Sequence, residues 1–259
     1  MTGADAERGL PAFGLLGALT FLTRVPVQLR RAPDLAASVP WFPVVGGVIG
    51  VIVGALAAGL GELVPMSVAA AIAVIAGVAL TGAFHEDGLA DVADAMGGWT
   101  VEQRREILKD SRHGTYGVAA LTSSIVLRIV CVATLTPAAA FAGLVAAHAL
   151  GRAGAVATMG RRQDSAEPGL GAEYTSAVSP SRAALGVAAG VLIAALATGW
   201  WAAPLAAAAA LGALAVGLLA RRALGAITGD ALGAIEQVGE CLVLVVVTGL
   251  ATRHTLWWA

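Results

Sequence analysis

The chain has 259 residues, 58% hydrophobic and 13% charged, with a formal net charge of -1 and a mean hydropathy of +0.82. Soluble domains carry about 25% charged residues, so a large soluble core is excluded. A near-neutral chain without a basic stripe and interleaved aromatics gives no nucleic-acid partner, and Cys131 and Cys241, in separate apolar runs, give neither a disulfide framework nor a zinc site.

Met1 to Leu10 is polar and mixed in charge, without the order of a removable signal peptide. Residues 10–25 read as an amphipathic or half-inserted segment ended by Pro26, and residues 1–40 as an N-terminal interfacial region. A span needs about 20 mostly apolar residues. Such runs fall at 41–60, 63–84, 117–135, 137–158, 183–203, 204–220 and 231–251. Pro65, Pro137 and Pro204 stand where helices open, where a missing N–H costs least. Gly50 and Gly54 give a GxxxG spacing that lets helices approach closely in lipid. The expected fold is an all-α polytopic membrane helix bundle of about six or seven transmembrane helices, in one domain embedded in the lipid bilayer.

Thirteen of the 16 basic residues fall on one side of this topology. They are Arg8, Arg24, Arg30 and Arg31, then Arg104, Arg105, Lys109 and Arg112, then Arg161, Arg162 and Arg182, and finally Arg221 and Arg222. That side is expected to be cytoplasmic.

The stretch following the second span runs from Phe84 to Gly98. On a continuing helix Asp87, Asp91 and Asp94 lie at i, i+4 and i+7, within about 60° of one another, with Glu86 on the flank. Like charges one turn apart oppose helix formation, so a cation is expected among them. Carboxylates beside a single His85 suit a hard ion such as Mg²⁺ or Mn²⁺ in a cytoplasm-facing acidic cavity. The alternative is a solvated acidic helix end, with His85 merely interfacial.

Thr100 and Gln103 form a capping box that opens a short helix over 101–110. It leads into Lys109-Asp110-Ser111-Arg112-His113-Gly114-Thr115-Tyr116-Gly117, where two cations, small hydroxyl residues and two glycines suit a phosphate-binding turn. Residues 85–116 are therefore the candidate catalytic segment. Ionisable residues within apolar spans are costly and functional candidates by default. Asp230, level with the acidic cluster, reads as a metal or substrate ligand. Glu236 and Glu240 read equally well as ion-pair partners of Arg128 or Arg152. Arg24 either reaches a substrate phosphate or anchors its segment. The loop from Gln163 to Ser179 is a candidate for closing over substrate.

Phe84-His85-Glu86-Asp87-Gly88-Leu89-Ala90-Asp91 with Asp94, and Lys109-Asp110-Ser111-Arg112-x-Gly114-Thr115-Tyr116-Gly117, resemble the cobalamin synthase (adenosylcobinamide-GDP ribazoletransferase) family. Phe21-Leu22-Thr23-Arg24-Val25-Pro26 followed by Pro43-Val44-Val45-Gly46, and Gly229-Asp230-Ala231-Leu232-Gly233-Ala234 with Glu236 and Glu240, agree in the same order. The resemblance implies a Mg²⁺-dependent enzyme of the bacterial inner membrane. It would join adenosylcobinamide-GDP to α-ribazole, or its 5′-phosphate, and release GMP. On this reading Asp87, Asp91, Asp94, Lys109, Asp110 and Arg112 are catalytic, and Glu86, Asp87, Asp91 and Asp94 hold the metal. Arg24, His85, Arg152 and Asp230 bind substrate, and Asp110 or Glu86 accepts the hydroxyl proton. The rivals are a CDP-alcohol phosphotransferase or prenyltransferase, and a cation or solute transporter with ligands near mid-membrane. A homo-oligomer is compatible with the sequence, which does not fix an oligomeric state.

Overall fold

The computed structural model describes residues 11–27, 34–160 and 178–259. Arg8, Arg30, Arg31, Arg161 and Arg162, and the expected closing loop up to residue 177, lie outside the described residues. Within them every regular element is helical, as a chain crossing lipid requires when its backbone must satisfy its own hydrogen bonds.

The bundle opens with α1 (Pro11–Leu22), which stops short of Pro26, and α2 (Leu35–Ser38), followed by a 3-10 turn. Five continuous runs are long and apolar enough to cross a membrane, and a bent pair makes a sixth. These are α3 (Phe42–Gly61, with the segment before it), α7 (Thr115–Ala133), α8 (Pro137–Met159), the run Pro180–Leu224 and α11 (Gly229–Ala251). The run Pro180–Leu224 is itself two helices, α9 (Pro180–Thr198) and α10 (Ala202–Leu224). Gly199, at φ +63°, makes the turn between them in a conformation other residues resist. Ala183 packs on Gly160 at one end of the bundle, Trp257 packs on Gly199 at the other, and Arg105 returns to the Leu224 carbonyl at the first. α9 and α10 therefore cross in opposite directions, in keeping with the expected six or seven spans.

α8 is the axis, almost wholly buried. α3 lies on it through the glycines that the spacing singled out. A Cβ on Gly50 would stand 2.6 Å from Val145 Cα and 2.7 Å from the Leu144 carbonyl, and one on Gly54 3.0 Å from the Phe141 carbonyl.

The second span departs from expectation. It does not continue through residue 84 into the acidic segment. α4 (Met66–Thr81) ends two residues before α5 (Phe84–Ala95), and α5 sets off at 89° to it. Gly82 (φ +68°) and Ala83 (φ +58°) both take the left-handed conformation, which costs a non-glycine residue about 1–2 kcal/mol. Arg24 braces the break. Its N–H donates to the Leu80 carbonyl at 2.8 Å, and its side chain lies against Gly82 where a Cβ would be. α5 thus runs at a right angle to α4, against the first turn of the last helix. The short α6 (Val101–Leu108) follows, opened by the expected capping box. Arg104 and Arg105 donate to the last carbonyls of α10, at 3.3 Å to Ala223 and 2.9 Å to Leu224, offsetting its C-terminal dipole. Among the described residues the expected cytoplasmic cations gather at this end, and Arg253 lies at the opposite one.

Gly50→Ala is expected to lower the unfolding midpoint in detergent, overpacking costing about 1–3 kcal/mol. Gly59→Ala on the same helix, with nothing within 4 Å of the added methyl, is expected to be neutral or stabilising. Thermal unfolding of both variants checks this, and equal shifts would contradict it.

Candidate active site

α5 lies directly on the first turn of α11. A Cβ on Gly88 would meet the Asp230 carbonyl at 2.7 Å and its Cα at 3.1 Å, and one on Gly233 would meet Gly88 Cα at 3.4 Å. These glycines let two backbones touch, and the contact sets Asp230 beside Asp87 and Asp91. Thr228 caps α11 by accepting from Ala231 N–H at 3.2 Å.

Asp87, exposed, and Asp91, half-buried, stand one turn apart on α5 and meet His113 from the loop before α7. His113 Nε2 lies 3.6 Å from Asp87 Oδ1, and its Nδ1 lies 3.6 Å from Asp91 Oδ1. One donor atom from each residue falls within 4.8 Å of the others. Asp87, Asp230 and Asp94 crowd the half-buried Asp91 with like charge, which His113 opposes. Such crowding is relieved by a cation. The two carboxylates suit a hard divalent ion of the Mg²⁺ or Mn²⁺ kind, and the imidazole is the softer member of the set.

Next to this cluster is a cleft of about 180 Å³ between α1, α3, α5, α8 and α11. Asp87 and Asp230 belong to its walls, with Phe21, Phe42 and Phe84. The deeply buried His85 and Arg152 also line it, so the expected substrate residues His85, Arg152 and Asp230 do converge.

Other expected site residues are placed differently. Asp94 accepts hydrogen bonds from Gly114 N–H at 2.7 Å and Gly117 N–H at 2.8 Å. The turn that reads as a phosphate site is thus filled by the chain's own carboxylate, a helix N-terminus being a ready anion site. Gly114 and Gly117 are glycines because Asp94 occupies the space of their Cβ atoms. Asp94 therefore caps α7 and holds His113 in place, and it does not join the Asp87–Asp91–His113 cluster. Glu86 points inward, is 3% exposed, and takes Arg128 at 3.0 Å and Gln237 at 3.3 Å. Its departure from the expected ligand set follows from α5 lying flat on the bundle. Asp110 is bound by Arg112, whose Nη2 stands at 2.6 Å and backbone N–H at 3.0 Å. That partner holds the Asp110 carboxyl down at about 2. Neither Glu86 nor Asp110 is thus set as a proton acceptor. Lys109 lies at the exposed end of α6, and Arg24 lies at the α4–α5 break. His113, the unassigned x of the second motif, had no sequence signal of its own.

A profile of the cobalamin-5-phosphate synthase family matches residues 14–248. The chain belongs to that family. It is 35% identical over 236 residues to the adenosylcobinamide-GDP ribazoletransferase of Klebsiella pneumoniae, covering 88% of this chain and 96% of that one. The protein of the same name from Mesorhizobium japonicum is 40% identical over 235 residues, covering 88% and 90%. The one from Shewanella frigidimarina is 46% identical over 143 residues, about half of each chain at 52% and 54%. No solved structure matches the chain.

The family's last-helix acids have a structural setting here. Arg128 on α7 also reaches Glu240 at 3.2 Å, while Arg152 on α8 reaches Glu236 at 2.6 Å and Glu240 at 3.1 Å. His148 pairs with Glu240 too, and Ser124 Oγ donates to Gln237 at 3.1 Å. Removing one partner of a buried pair costs about 3–5 kcal/mol. Arg128→Met, which strands Glu86 and Glu240 together, is expected to lose that much in thermal or denaturant unfolding. Glu86→Gln, which keeps an acceptor for Arg128, is expected to lose much less, and equal losses would contradict the shared-guanidinium arrangement.

Proposed function

We infer that this chain transfers the phosphocobinamide group of adenosylcobinamide-GDP to a ribose hydroxyl of α-ribazole, or of α-ribazole 5′-phosphate, and releases GMP. The observation that carries this is near end-to-end similarity to adenosylcobinamide-GDP ribazoletransferases, joined to an acidic cluster at one face of the bundle. In the proposed reaction a ribose hydroxyl oxygen of the acceptor forms a bond to the phosphorus that bears cobinamide. The bond from that phosphorus to the oxygen of GMP breaks.

Asp87, Asp91 and His113 would hold Mg²⁺. Bound there, the ion would neutralise charge on the pyrophosphate and on departing GMP. Asp230 lines the cleft next to Asp87 and lies outside the three-residue cluster. It is the carboxylate best placed to take the proton of the attacking hydroxyl. Arg112, 87% exposed at its side chain, and Lys109 flank the same loop, and would exchange present contacts for phosphate oxygens. Asp94 keeps that loop fastened to α5. Arg24, beside the α4–α5 break, is placed to steady the same face.

By the positive-inside tendency this face is cytoplasmic, in the bacterial inner membrane. Its position at the end of the spans disfavours a transporter, whose ligands lie near mid-membrane.

Purified protein in lipid is expected to release GMP from adenosylcobinamide-GDP only when α-ribazole and Mg²⁺ are both present, with an equal amount of cobalamin formed. Asp91→Asn is expected to cut turnover about 100-fold or more without unfolding, while Asp110→Asn stays within roughly tenfold. GMP release that ignores α-ribazole, or full turnover by Asp91→Asn at limiting Mg²⁺, would overturn the reading.

A further inference from the structure

α10 has one packed side and one open side. The packed side lies on α11, where a Cβ on Gly212 would meet Leu242 at 3.0 Å and Val238 at 3.3 Å. On the open side Leu211, Leu214 and Leu218 are 65%, 47% and 43% exposed. Arg221 and Arg222, in the last turn, continue that row. By helical spacing the five residues fall within about 100° of arc. The open side also borders a groove, lined by Val187 and Val191 of α9 and by Ala210, Ala213 and Leu214 of α10. Ala210, Leu214 and Arg221 lie within about 40° of one another on α10, so the groove leads toward Arg221.

The helix does not need these two arginines for its own end. A helix C-terminus is the negative end of the dipole, and Arg104 and Arg105 of α6 already donate to its last carbonyls. Arg221 and Arg222 are exposed, and their side chains make no hydrogen bond or ion pair among the described residues. Four guanidiniums gather at this corner against two carboxylates of α6, Glu102 and Glu106. The surplus charge calls for an anion. A water-soluble anion such as a nucleotide has no use for a row of leucines running up to its phosphate. A phospholipid has that shape, with apolar chains below and a phosphate at their end. A zwitterionic headgroup would bring its own cation to the four guanidiniums, and one of net negative charge would not.

We propose that the open side of α10 binds an anionic phospholipid of the adjoining leaflet, its chains along Leu211, Leu214 and Leu218 and its phosphate on Arg221 and Arg222.

Native mass spectrometry of the full-length protein in detergent, titrated with phosphatidylglycerol or phosphatidylcholine, reads the bound lipid without any turnover. The wild type is expected to bind phosphatidylglycerol about 25-fold more tightly, at roughly fivefold for each arginine facing an anionic headgroup. Replacing both residues, Arg221→Gln with Arg222→Gln, is expected to bring phosphatidylglycerol to about the level of phosphatidylcholine. The thermal unfolding midpoint of the lipid-free protein should stay unchanged, because both side chains are exposed. Arg221→Lys with Arg222→Lys, which keeps the charge, is expected to retain most of the preference. Arg253→Gln, at the opposite end of the bundle, is expected to retain all of it. Equal binding of the two lipids by the wild type would overturn the proposal, as would an undiminished preference in the double glutamine variant or an equal loss in Arg253→Gln. Displacement of phosphatidylglycerol by GMP would also overturn it, by marking the arginines as a nucleotide site.

Discussion

Arg128 is buried between two carboxylates, Glu86 of α5 and Glu240 of α11, and the acidic face is organised around that guanidinium. A cation inside an apolar bundle must be paired, because its solvation is lost there. Pairing with Glu86 draws α5 flat across the end of the bundle, which the chain can do only by breaking the second span at Gly82 and Ala83. Once Glu86 faces inward, helical spacing turns Asp87 and Asp91 outward. Arg152 repeats the arrangement from α8, tied to Glu236 and Glu240, so α5, α7, α8 and α11 meet in one buried ionic layer beneath the site.

The outward acids are then crowded by design of the backbone. Gly88 and Gly233 bring α5 onto α11, which adds Asp230 to Asp87 and Asp91. The chain relieves part of that crowding itself. Asp94 is removed from the cluster by the amides of Gly114 and Gly117, and the same capture brings His113 against Asp87 and Asp91. α5 and the loop before α7 are therefore fastened to each other, with His113 held against Asp87 and Asp91.

Much of this was legible in the sequence. Apolar runs placed the spans, the Thr100–Gln103 box placed α6, and the Gly50–Gly54 spacing marked the contact of α3 with α8. The pairing of buried acids with Arg128 and Arg152 followed from the cost of charge in an apolar layer. The bend did not follow, because Gly82 is one of 33 glycines and Ala83 is an ordinary helix former held left-handed by its surroundings. Helical periodicity gave the angles among Glu86, Asp87, Asp91 and Asp94 but not which side faces the bundle. That direction separates a buried ion pair from a ligand. His113 lies 22 residues from Asp91 in sequence, and only the Asp94 cap brings them together.

The most direct measurement is pulsed electron paramagnetic resonance of Mn²⁺ bound to the full-length protein in lipid. A nitrogen coupling that is present in the wild type, lost in His113→Gln and kept in His85→Gln is the result expected of an ion held by Asp87, Asp91 and His113. Mn²⁺ bound without nitrogen coupling, or with a coupling indifferent to His113, would contradict that ligand set.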